Sequence, residues 1–193
     1  MSFQNHPVHL VGGRICLDFL NTANWANSNV VVERLKTVED LAIWKQAAGL
    51  VNHRFMDEAE LQDTVLKFRR SLRQIVLASI NGEELKPSDV ARFNKMLGQP
   101  KHSEMFEFPR GAISLNPELP FTKTLALLAV SMLADPHEIS RVKMCPSENC
   151  GWLFLDESKN RRRHWCSMEL CGNRAKARRH YERRNHGKIV SDR

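Results

Sequence analysis

The chain has 193 residues and 42% hydrophobic content, enough for one packed domain with a small appendage. Its longest apolar run, 125–134, is interrupted by Ser131 and falls short of the ~20 residues that span a bilayer, and no signal peptide opens the chain, so the cytoplasm is the expected compartment. The net charge of +7 is lopsided: residues 141–193 hold 14 Lys and Arg against 6 Asp and Glu, a net of +8, leaving −1 for residues 1–140, as in a chain that meets a polyanion with one end.

Gly12-Gly13 signal a turn, and the run after it is apolar at Ile15, Leu17, Phe19 and Leu20, which predicts a short helix entering the core, with a strand as the competing reading. Cys16, Trp25 and Trp44 read as core residues. Thr37 is a helix N-cap with acids in the following turn; Leu41, Trp44 and Ala48 share a face, and Gly49 ends the helix. Asp57 and Glu60 have capping-box spacing ahead of Leu61, Val65, Phe68, Leu72 and Ile75, a helix predicted to reach Ile80 and stop at Asn81-Gly82. Pro87-Ser88-Asp89 opens another helix, with Val90, Phe93 and Leu97 inward. Residues 105–108 and 112–115, around Pro109 and Gly111, read as a β-hairpin. Residues 118–134 are apolar almost all round and predict a central buried helix, broken at Asp135-Pro136. The fold class is therefore mainly α: a multihelical domain over 1–137 with a small β-hairpin, then a cysteine module over 138–193 that a short link packs onto the bundle.

Four of the five cysteines lie in that module as two equal pairs, Cys145-x4-Cys150 and Cys166-x4-Cys171, within CPSENCG and CSMELCG. Two such pairs suit one tetrahedral zinc; two disulfides are the alternative, disfavoured in a reducing compartment. Four sulfurs close the coordination shell, so the metal is structural. Residues 152–154 read as an aromatic strand, 156–160 as a turn and 162–165 as a return strand, bringing Trp165 beside Trp152 and Phe154. The second pair then opens a helix to about residue 184, a treble-clef-like order. His164 and His180 are substitute ligands by chemistry alone and ordinary surface histidines by context. The helix places Arg174, Arg178 and Tyr181 on one face and Lys176, Arg179 and Arg183 on the next, with Arg161, Arg162 and Arg163 nearby. These arginines and lysine are candidate nucleic-acid contacts, since a guanidinium fits phosphates and guanine edges; the competing reading is a solvated helix.

CGNR at 171–174, within RRHWCSMELCGNRAKARRHYERR, resembles the CGNR zinc-finger family, and GGRICLDFLNT at 12–22 resembles the opening of the ABATE domain that precedes that finger. The resemblance spans nearly the whole chain. It implies a bacterial, stress-responsive DNA-binding regulator of transcription with a helical N-terminal domain and zinc held by Cys145, Cys150, Cys166 and Cys171.

Asp18 and Asn21 are polar residues one turn apart in an apolar run. They are either a corner of a small-ligand pocket or buried groups that tie down loops. No Ser-His-Asp order, Gly-rich phosphate loop or His-Glu-x-x-His occurs, so a non-enzymatic role is expected. The readings in order are a duplex-DNA-binding regulator whose body senses an effector or dimerises, an RNA-binding module, and a small-molecule-binding body whose finger docks a protein.

Overall fold

The structure is a computed structural model describing residues 2–50, 56–98, 106–107, 114–115 and 119–191. Helix α1 (Ile15–Leu20) settles the first ambiguity of the sequence: it is helical, and all its residues except Ile15 are buried. The chain then turns into a hairpin that the sequence did not announce, β1 (Ala23–Ala26) and β2 (Asn29–Glu33), antiparallel across Asn27 and Ser28. Both turn residues have positive φ, 48° and 66°, as a two-residue primed turn requires, but neither is the glycine that usually advertises one.

Thr37 caps α2 (Val38–Ala47) in a reciprocal capping box with Asp40. Asp57 caps α3 (Glu58–Glu60), which continues through a π-helical turn (Leu61–Leu66) into α4 (Lys67–Asn81). Gly82 stops that helix in the left-handed region, φ 68°. Phe68, Leu72, Ile75 and Val76 face inward on α4, and Phe93 is the buried residue of α5 (Pro87–Leu97). The short strands β3 (Phe106–Glu107) and β4 (Ser114–Leu115) pair antiparallel as the expected hairpin; its Pro109/Gly111 turn lies outside the described residues. Helix α6 (Phe121–Leu133) corrects the expectation of all-round burial: it covers α1 with Phe121, Leu125, Ala126, Ala129 and Met132, but Val130 and Ser131 face solvent. Asp135 caps the short α7 (Pro136–Ile139). At the centre Phe19 meets the rings of Trp44 and Phe121 at 5.7 Å each and stacks on Phe68 at 6.3 Å, joining α1, α2, α4 and α6. Among the described residues no helix is long and apolar enough to cross a membrane.

The cysteine module does not stand apart from this core. Its strands β5 (Val142–Met144) and β6 (Leu153–Leu155) pair antiparallel, and Val142, Leu153 and Leu155 belong to the same buried cluster as α1 and α4. The partner of β6 is thus β5, ahead of the first cysteine. The expected return strand at 162–165 is not formed. The reason lies in the edges: Leu155 N–H donates to the carbonyl of Gly12 at 2.8 Å, and the Asn21 side chain occupies the main chain of Leu153, so the second edge of β6 is taken by the body. After this hairpin a second π-helical turn (Met168–Gly172) leads into α8 (Asn173–Ser191).

Candidate metal centre and basic face

The first cysteine pair caps the β5–β6 hairpin. Cys145 N–H donates to Trp152 O at 2.8 Å, and Asn149 and Gly151 take positive φ to close the knuckle. Gly151 also faces the main chain of Trp25: a Cβ there would overlap the Trp25 carbonyl oxygen and sit 3.0 Å from Trp25 Cβ. Of the second pair, Cys166 precedes the π-turn and Cys171 lies within it; Ser167 caps the turn by accepting from Glu169 N–H and Leu170 N–H, so the positive end of the helical segment faces the thiolates.

The four sulfurs converge within 4.8 Å of one another, with Cys150–Cys166 at 3.7 Å and Cys166–Cys171 at 3.6 Å. A tetrahedron with zinc–sulfur bonds of about 2.3 Å places its sulfurs about 3.8 Å apart, so the set fits one zinc. All four cysteines are buried and form a small cluster with Trp152 and Phe154, against which Trp165, Leu170 and Val11 pack. Four thiols this close cannot ionise together without a cation. Hydrogen bonds from Cys150 and Cys166 hold Cys145 well below the usual thiol range, while Cys145 in turn pushes Cys150 and Cys166 up. A divalent cation resolves that conflict by binding all four as thiolates. The chain therefore carries one structural zinc site, and His164 and His180 stand outside the four-residue cluster.

Behind the metal site, residues 156–163 are organised by Asp156, a residue the sequence did not single out. Its buried carboxylate accepts from Lys143 Nζ at 2.6 Å, Arg163 N–H at 3.0 Å and Ser158 N–H at 3.0 Å. Burial alone pushes its pKa up, but Lys143 and Ser158 outweigh that and hold it below the usual carboxylate range.

The eight basic residues expected to contact nucleic acid divide into two groups. Arg163 is structural: its guanidinium donates to the carbonyls of Val11 at 2.8 Å, Trp165 at 3.2 Å, Leu155 at 3.3 Å and Cys166, and lies 4.5 Å over Phe154. Arg174 donates to Leu170 O at 3.0 Å and reaches Cys171 Sγ at 3.8 Å, so it supports a zinc ligand. Arg178 pairs with Glu148 of the first knuckle and Glu182 of its own helix. Arg174 and Arg178 are nevertheless exposed, as are Arg161, Arg162, Lys176, Arg179 and Arg183, so that of the eight only Arg163 is half-buried. Two clefts lie on this side. One, of ≈ 700 Å³ between the first knuckle and α8, includes His164, Trp165, Arg174 and Arg179; the other, of ≈ 490 Å³, includes Lys143, Arg161 and Arg162. Pro146 and His164 line both.

Asp18 and Asn21 do not form one polar corner. Asn21 spends its carboxamide on Leu153, donating to O and accepting from N–H at 2.8 Å each, and lines none of the clefts described. Asp18 accepts from Gly12 N–H at 2.7 Å and borders a largely apolar cleft of ≈ 380 Å³ with Leu10, Arg14, Cys16, Met132 and Glu138. Burial raises its pKa to about 6 against the hydrogen bonds of Gly12 and Val11.

Comparison with known proteins agrees with this geometry. Residues 141–184 match the family model of the CGNR zinc finger. Residues 13–136 match that of ABATE, described as "Putative stress-induced transcription regulator". No curated protein matches the chain.

Proposed function

The chain belongs to the ABATE family and carries a CGNR zinc finger, and from that premise we propose that it is a non-enzymatic regulator of transcription that grips duplex DNA with the basic face of the finger. The observation that carries the reading is the junction of the two clefts at Pro146 and His164. It joins the exposed Arg161 and Arg162 to Arg179, and α8 extends that edge with Lys176 and Arg183. From Lys176 to Arg183 α8 rises about 10 Å, enough to follow several phosphates of one strand. The zinc fixes this track to the body, so little ordering entropy is lost on binding.

The test is fluorescence anisotropy of random duplex DNA across a salt series, with and without a zinc chelator. Five phosphate contacts give a log–log salt slope of about −4.5, lost on chelation. Absence of duplex binding at low salt, or binding indifferent to zinc, overturns the reading. A second reading, RNA, is favoured by Tyr181, which is 68% exposed on the same helix and offers a stacking surface to an unpaired base. Competition with single-stranded RNA in the same assay separates the two.

For the body we propose a sensing role centred on the cleft beside Asp18. Residues 11–13 run from that carboxylate to the finger: Gly12 N–H binds Asp18, Gly12 O accepts from Leu155, and Val11 O accepts from Arg163. A small molecule seated there would act on the segment that holds the finger. A thermal-shift screen against metabolites tests it, and no stabilisation across a broad library counts against it.

A further inference from the structure

Arg73 of α4 is 1% exposed, yet its Nε and Nη1 have no hydrogen-bond partner and its Nη2 reaches only Met144 Sδ, at 3.7 Å. Its guanidinium lies 4.6 Å over the ring of Trp25, and burial lowers its pKa only to about 10, so it is a cation at neutral pH. A buried cation in this condition is strongly disfavoured unless an anion stands near it. The adjacent carboxylate is already committed: Glu33 forks onto Arg69, which also donates to Thr22 Oγ1 at 2.7 Å. Among the described residues no carboxylate pairs with Arg73. Met144, its one polar contact, is the neighbour of Cys145, and Trp25, on which it stacks, donates its N–H to Cys150 O at 3.0 Å.

A second body arginine has the same outlook. Arg34 lies 5.1 Å over the ring of Trp152 and donates to Asn24 Oδ1 at 2.7 Å. It lines a cleft of ≈ 140 Å³ together with Cys150, Cys171 and Arg174. One zinc ion with four thiolates carries a net charge of −2, and no lysine or arginine of the finger other than Arg174 is placed against the sulfurs among the described residues.

We propose that Arg34 and Arg73 are the counter-charges of the zinc–tetrathiolate centre, supplied across the seam by the helical body, and that they set how tightly the finger holds its metal. The body thereby becomes part of the metal site. The four thiolates gain two cations that the finger's own sequence does not supply, and Arg73 gains the anion its burial requires. The assignment depends on the zinc and not on nucleic-acid binding.

The experiment is competition for zinc between a chromophoric chelator and the full chain, as wild type, Arg73→Lys, Arg73→Met and Arg34→Gln, together with the pH midpoint of zinc release. Loss of one outer-shell partner is expected to weaken the metal about 10- to 100-fold. Arg73→Met and Arg34→Gln should each fall in that range and release zinc at higher pH, because thiolates without a nearby cation protonate more readily. Arg73→Lys, which keeps the charge, should hold zinc more tightly than Arg73→Met. A purely packing role reverses that order, since methionine is the better occupant of a buried apolar channel, and that reversal overturns the proposal. Zinc affinity within about 2-fold of wild type in Arg34→Gln overturns it as well, whether or not the Arg73 variants fold.

Discussion

Asn21→Ala probes how the finger is fastened to the body. Asn21 is 3% exposed, and its carboxamide closes two 2.8 Å hydrogen bonds on the main chain of Leu153, itself fully buried. Truncation leaves one N–H and one C=O without partners in a place where the packed core leaves little room for water. Each orphaned group costs about 1–3 kcal/mol, so the expected loss is about 2–6 kcal/mol, a large part of the about 5–15 kcal/mol that keeps a domain folded. Urea denaturation of the zinc-loaded protein, followed by tryptophan fluorescence, reads this directly. With a slope of about 2 kcal/mol/M, a loss of 4 kcal/mol lowers the midpoint by about 2 M. Asn21→Asp keeps the acceptor for Leu153 N–H and loses the donor to its carbonyl, so it too is expected to destabilise. A midpoint for Asn21→Ala within about 0.5 M of wild type would show that these two bonds do not hold the seam.

Gly151→Ala puts a methyl group into the Trp25 carbonyl at a φ of 59°, and is expected to cost at least about 2 kcal/mol, read as a fall in Tm; an unchanged Tm rejects the close approach. Asp18 is protonated more readily in the folded state, with its pKa near 6 against an ordinary value near 4, so its contribution is fully present below about pH 4 and is lost as pH rises through 6. Asp18→Asn, which keeps the acceptor for Gly12, should therefore gain on wild type by about 3 kcal/mol between pH 4 and pH 7, and the acid lability of the zinc site cancels in the difference; parallel curves reject it. Arg162→Ala is expected to reduce the salt slope of DNA binding by about 1 with no change in Tm, whereas Arg163→Ala, which gives up bonds to four carbonyls, lowers Tm by several degrees; equal behaviour of the two contradicts the division of the basic residues. Cys171→Ser should lose zinc and unfold finger and body in one transition, because Val142, Leu153 and Leu155 sit in the body's core. Two separate transitions would show that finger and body fold independently despite that shared core.

What could be read in the sequence was what is local. Thr37 with Asp40, the 3.6-residue series from Leu61 to Ile75, the stop at Gly82 and the paired cysteine spacings all act within one or two turns of chain, and each is where its pattern placed it. The β1–β2 hairpin was hidden because Asn27-Ser28 adopts a glycine-like turn without a glycine. The pairing of β5 with β6 was hidden because three residues, Val142–Met144, carry no readable alternation. The deeper obstacle is that the seam is built from bonds spanning 129 to 152 residues: Trp152 Nε1 to Ala23 O, Asn21 to Leu153, Arg163 to Val11. A polar residue committed to remote main chain looks, in sequence, the same as one waiting for a ligand. Asn21 resembled a pocket residue for that reason, and Arg163 resembled Arg161 and Arg162. The same blindness ran the other way for Arg34, which belongs to the body by position and shares a cleft with Cys150 and Cys171, and for Arg73, which is buried against Trp25 and Met144. Charge summed along a chain therefore overstates what a partner can meet. Of the eight basic residues picked from the finger, Arg163 is half-buried and spends its guanidinium on carbonyls, while Arg174 and Arg178, though exposed, already have partners in Leu170, Cys171, Glu148 and Glu182.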